Sequence, residues 1–148
     1  MASFGSDALI GWASMADCQA VLGDLETIVR GDAAKVSRAL ASASGRAQSI
    51  LRSRWLESWP FTTPPAEVRD AVAIIATYRA VSSVGATGGM AELVEQLRRD
   101  AKAAEAWLAD VAAGKAALDI PATPDGNGWD QAYVAAPPRG EFGFSGGR

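Results

Sequence analysis

The chain has 148 residues and a net charge of −3, and 49% of it is apolar by type. Its 31 alanines outnumber Leu, Ile, Val and Phe taken together, which total 30. That balance favours closely approaching helices with small residues in the contacts, because alanine has the best helix propensity and little volume. The acidic balance argues against broad electrostatic capture of nucleic acid, and the absence of histidine removes the commonest general base and transition-metal ligand.

Cys18 is the only cysteine, so no internal disulfide is possible, which fits a reducing compartment. It reads as a small buried hydrophobe; a reactive thiol would need a low-pKa setting that nothing nearby advertises. No basic stretch leads into an apolar run at the start of the chain, and no uncharged segment is long enough to cross a bilayer. The expectation is a soluble protein made in the cytoplasm, with no membrane partner.

In chain order, Ser14-Met15-Ala16-Asp17 forms a capping box and predicts a short helix over about residues 15–22, closed by Gly23-Asp24. Residues 24–31 are too short to assign beyond a turn of helix. Asp32 is a good N-cap for the next element. From there Val36, Leu40, Ala43, Ala47, Ile50/Leu51 and Arg54/Trp55 recur every three or four residues, an amphipathic helix to about Trp55. Its polar side carries Lys35, Arg38, Arg46 and Arg52, either a solvated face or a basic strip meeting an acidic neighbour. The run Ala41-Ser42-Ala43-Ser44-Gly45 in its middle lets another backbone approach closely.

Trp59-Pro60-Phe61-Thr62-Thr63-Pro64-Pro65 breaks that helix, and the second of the paired prolines suits the first turn of the next. This third helix spans about 66–83; its section Ala71 to Ala76 is apolar on almost every side, as expected of a central helix contacted from several directions. After Gly85, Gly88 and Gly89, a long helix covers about 90–117, with Leu97, Ala101, Ala104, Leu108 and Val111 on its apolar stripe. Glu95, Arg98, Arg99, Lys102, Glu105 and Asp110 take the opposite face, where Glu95–Arg99 is an attractive pair and Arg98–Lys102 a repulsive one. Trp107 lies between the two faces, as a core-edge residue or part of a subunit contact. Gly114 should fray the last turn.

Residues 119–148 hold four prolines, six glycines and a net charge of −2, with no hydrophobic period. They also hold Trp129, Tyr133, Phe142 and Phe144, four of the eleven aromatics. Disordered tails are aromatic-poor, so this reads as an arm that orders against a partner, with a loosely packed tail as the bland alternative. The division is thus a helical body over 1–118 and an extended C-terminal arm over 119–148. The fold class is all-α: a small bundle of three longer helices plus a short N-terminal one.

Little in the chain carries chemistry. Gly85-Ala86-Thr87-Gly88-Gly89 lacks the lysine and preceding strand of a phosphate loop. The serines have no histidine to activate them. Glu92 and Glu95 share a face with arginines, as on a solvated surface, whereas a carboxylate metal site wants inward glutamates from several helices. Glu67 and Asp70 sit in a first helical turn, where they serve the helix dipole. Asp125-Gly126-Asn127-Gly128-Trp129-Asp130 lacks the terminal glutamate of a calcium loop and reads better as a tight turn. No catalytic residue, cofactor or metal site is expected, and the function lies in what the protein touches.

Four features in order carry a family resemblance: the capped helix from Trp12 to Gly23; Ala39-Leu40-Ala41-Ser42-Ala43-Ser44 followed by Ile50-Leu51; the Trp59-Pro60-Phe61…Pro64-Pro65 break leading to Ala71-Val72-Ala73…Tyr78-Arg79; and Leu108…Val111…Gly114-Lys115…Leu118. Over about residues 8–118 the chain resembles the small adaptor proteins between portal and tail of long-tailed phages. These are the Mu-like head–tail joining (neck) family and its relatives in siphophages and gene-transfer particles. The resemblance implies a non-enzymatic adaptor in the virion neck that forms a ring, often twelve-fold, beneath the portal. Its partners would be the portal protein, a tail-side neck or tail-terminator protein, and phage DNA passing non-specifically through the lumen. Carried over by position, Trp129, Tyr133, Phe142 and Phe144 would anchor a portal-docking arm. Arg38, Arg46, Arg52, Glu95, Glu105 and Trp107 would be candidates for contacts between subunits. The competing reading is a helical regulatory or protein-binding module that works as a small oligomer.

Overall fold

A computed structural model of the chain describes residues 4–55, 59–61, 63–85 and 90–118. A short antiparallel hairpin opens it, β1 (Leu9–Ile10) and β2 (Ala13–Ser14), with Leu9 opposite Ser14 and Ile10 opposite Ala13. Five helices follow: α1 (Met15–Val21), α2 (Leu25–Ile28), α3 (Ala33–Leu51), α4 (Ala66–Val84) and α5 (Met90–Ala112). The expectation of a purely helical chain is corrected by the hairpin. Each strand has only two residues, too few for the alternation that marks a strand in sequence.

The capping box forms as expected. The Ser14 hydroxyl accepts from the Asp17 amide (3.1 Å) and the Asp17 carboxylate accepts from the Ser14 amide (2.9 Å). Residues 25–28 make a short helix of their own, and Arg30 closes it in the left-handed region at φ 57°. There the Gly31 amide donates to the Glu26 carbonyl (2.8 Å) and the Arg30 amide to that of Thr27 (3.1 Å). This reciprocal pattern satisfies the last carbonyls of a helix.

Asp32 caps α3 by accepting from the Lys35 amide. The helix stops at Leu51, short of the expected Trp55. The Arg54 and Trp55 amides both return to the Leu51 carbonyl (3.0 and 3.2 Å), so the chain turns and seats the Trp55 ring in the core. Pro65 is the N-cap of α4 itself, in extended conformation at ψ 155°, immediately ahead of the first helical residue. The long helix α5 likewise ends at Ala112, several residues before the expected boundary at 117. Gly114 turns left-handed at φ 82°, and the Lys115 and Gly114 amides cap the Asp110 and Val111 carbonyls (2.8 and 3.1 Å).

The core is built around α4, which touches all four other helices and β2. Its buried positions, among them Val68, Val72, Ile75, Ala76, Ala80 and Val81, point in several directions, as its uniformly apolar centre predicts. α3 contributes Val36, Leu40, Ala43, Ala47 and Leu51, and α5 contributes Leu97, Ala101, Ala104, Leu108 and Val111. The alternation of alanine with larger aliphatics lets three helices pack closely. Leu118, six residues past the end of α5, is 2% exposed, so the chain returns to the core before residue 119.

Candidate functional site

The small-residue run of α3 receives the hairpin. The Trp12 amide donates to the Ser44 hydroxyl (2.9 Å), and that hydroxyl donates in turn to the Ile10 carbonyl (3.4 Å). Gly11 makes the approach possible, because a Cβ there would stand 2.6 Å from Ser44 Cβ and closer still to its hydroxyl oxygen. Trp12 then packs edge-on against Trp59 (centroids 4.8 Å apart) and Phe61 (5.4 Å), while Trp59 and Phe61 stack at 6.2 Å. This aromatic cluster locks the proline-rich break onto the hairpin. It was not apparent from spacing, since 47 positions separate Trp12 from Trp59.

Two polar ties fix helix orientation. Arg69 on α4 places two nitrogens on the Asp17 carboxylate at 2.8 and 3.2 Å. Partial burial pushes the Asp17 carboxyl upward, but the bonds from Arg69 and the Ser14 amide, with the arginine charge, outweigh it and leave the group below its ordinary value of 3.8. Arg54 donates to the Val111 carbonyl (2.7 Å) near the end of α5, where a cation also meets the negative end of the helix dipole. The Cys18 thiol is fully buried and lies 3.8 Å from the Ala73 carbonyl. Burial pushes its pKa to about 11; the nearby Thr77 hydroxyl opposes this and the Asp17 charge adds to it. The thiol is therefore inert, in keeping with its reading as a small hydrophobe.

Most of the candidate subunit-contact residues are engaged within the chain. Arg46 on α3 pairs with Glu105 on α5 at 3.4 Å, an exposed bridge between two helices. Glu95 pairs with Arg98 at 2.8 Å, one turn on, in place of the expected pairing with Arg99, which instead donates to Gln96 (2.7 Å). The bonds from Arg98 hold the Glu95 carboxyl below its ordinary range. Arg52 lies 5.7 Å from the centroid of Trp59, a cation over an aromatic ring. Among the described residues, Arg38 and Trp107 make no such pairing. Arg38 lines a concavity of about 250 Å³ between α3 and α4, with Lys35, Ala39, Ser42, Arg79 and Ser83; Arg79 donates to the Ser42 hydroxyl. Trp107 lines one of about 280 Å³ between α4 and α5, with Glu67, Asp70, Ala71, Ile74 and Ala104. Trp107 is thus both a core-edge residue and part of an open surface. The arm anchors Trp129, Tyr133, Phe142 and Phe144 lie outside the described residues.

Among the described residues, no group of three or more carboxylate or thiol side chains could hold a metal, and no helix is long and apolar enough to cross a membrane. The fold is a helical body braced by polar ties, with two charged concavities on its outside. The chain belongs to the family of bacteriophage Mu Gp36, whose model it matches over residues 6–135. Its role is accordingly that of a structural head–tail adaptor and not of an enzyme. That membership decides against the regulatory-module reading. No curated protein matches the chain, and no solved structure does.

Proposed function

We propose that the chain forms a ring, of twelve subunits, beneath the portal in the virion neck, after synthesis in the host cytoplasm. Its helical body, residues 1–118, builds the ring, and residues 119–148 form an arm that docks on the portal through Trp129, Tyr133, Phe142 and Phe144. The opposite side of the ring meets a tail-side neck or tail-terminator protein, and phage DNA passes non-specifically through the lumen. The observation that carries this reading is the family match across 6–135, which runs past the helical body and takes in Trp129 and Tyr133. Aromatic side chains suit such anchors because they bury large areas at small cost in side-chain entropy. A net-acidic subunit also suits a channel through which DNA must slide.

The test is co-sedimentation of the full chain and of a chain lacking residues 119–148 with the portal of the same phage. Loss of binding on truncation, with helical content retained, is the expected result. Undiminished binding by the truncated chain would overturn the arm's role. A particle image without this protein's density at the neck would overturn its placement.

A further inference from the structure

The two concavities beside α4 carry opposite charge. Every charged residue lining the first is basic: Lys35, Arg38 and Arg79. Both charged residues lining the second, Glu67 and Asp70, are acidic. Among the described residues no carboxylate forms an ion pair with Lys35, Arg38 or Arg79, and no cation pairs with Asp70. The first concavity borders the C-terminal part of α4, through Arg79 and Ser83, and the second borders its first half.

The second concavity also has the makings of a receptor for a basic side chain. Ala71, Ile74 and Ala104 supply an apolar floor for methylene groups, Asp70 supplies a carboxylate, and Trp107 supplies an indole. Long cationic side chains bury their stems on apolar surface, pair their heads with carboxylates and stack on aromatic faces. Arg38 is exposed and, among the described residues, has no ion-pair partner, which makes it the fitting occupant.

We propose that the Trp107 concavity between α4 and α5 receives Arg38, with Lys35 beside it, from a second copy of this chain. This rests on the ring reading above and names the surfaces that would close it. The donor and receiver patches are different parts of one subunit, so the contact is head-to-tail and leaves a donor and a receiver free at each end. Contacts of that type generate rings when the rotation closes. Opposite charge on the two patches sets register and suppresses donor–donor or receiver–receiver encounters.

The test uses full-length chains on the portal and a double variant, Arg38→Cys with Asp70→Cys, treated with a short bifunctional thiol reagent. Buried Cys18 stays out of the reaction. A ladder of cross-linked multimers is expected from the double variant. Neither single variant alone should cross-link, and the two mixed should give dimers only. In parallel, Arg38→Glu should lower ring occupancy about tenfold or more, and adding Asp70→Arg should restore it. The proposal is overturned by a portal-bound double variant that gives no ladder, or by dimers from one single variant alone, which would mean a two-fold contact. It is also overturned if Arg38→Glu weakens retention of duplex DNA while the ladder is unchanged, since the cations would then serve phosphate. Failure of the ring reading itself looks different: wild-type chain would neither bind the portal nor assemble, and both ideas would fall together.

Discussion

A methyl group on Gly11 would occupy space already held by the Ser44 side chain, and would do so at a backbone φ of 75° that L-residues rarely adopt. Both faults act on the same hairpin, whose Trp12 amide bonds to Ser44. Gly11→Ala should therefore cost about 2–3 kcal/mol in denaturant unfolding. Gly45→Ala, one residue beyond Ser44 on the open side of α3, should stabilise by about 0.5–1 kcal/mol, since nothing lies within 4 Å of its added carbon. Asp17 offers a test by pH. Its carboxyl lies below the ordinary value of 3.8 when folded, so its contribution is fully present above that value and is lost as pH falls through the folded one. Asp17→Asn should lose about 1–3 kcal/mol at neutral pH through the Arg69 bonds. The deficit relative to wild type should vanish in acid, as urea titrations at several pH values would record.

At the scale of elements, what could be read from sequence was local. Ser14 and Asp17 stand three residues apart and cap α1 as that spacing implies. The periodic stripes of α3 and α5 and the all-round apolar centre of α4 recur in the buried positions. Helix ends and the hairpin were not legible, because tertiary partners decide them. Trp55 leaves the helix to enter the core, and Gly11 is explained only by a serine 33 positions away. The charged faces read as solvated surface or as strips for neighbours, and the structure adds a third use, since Arg46 and Glu105 meet across 59 positions within one chain. That exposed bridge should contribute about 0.2–1 kcal/mol, and a double-mutant cycle with Arg46→Ala and Glu105→Ala should return a coupling within that range, shrinking with added salt. Arg30, left-handed at the end of α2, gives a change of opposite sign: Arg30→Gly should raise stability by about 1 kcal/mol, visible as a higher thermal midpoint.

Across the whole molecule, the sequence conveyed function more readily than contacts. The order of soft motifs from Trp12 to Leu118 pointed to the head–tail joining family, and the family match extends beyond them to residue 135. Composition alone could only say that no reactive centre was advertised. Which charges are spent inside the subunit and which stay available outside depends on how α3, α4 and α5 cross, and no local pattern encodes that. Of six candidate contact residues, Arg38 and Trp107 alone pair with no charged or aromatic partner among the described residues, and each lines a concavity beside α4.

Leu118 is buried where the described body ends, and Arg54 grips the Val111 carbonyl a short way upstream. Any traction on the residues that follow would therefore have to draw Leu118 out of the core before it reached the end of α5. Because Arg54 also holds the Val111 carbonyl, unwinding α5 from that end would have to break a tie to the segment that follows α3 as well.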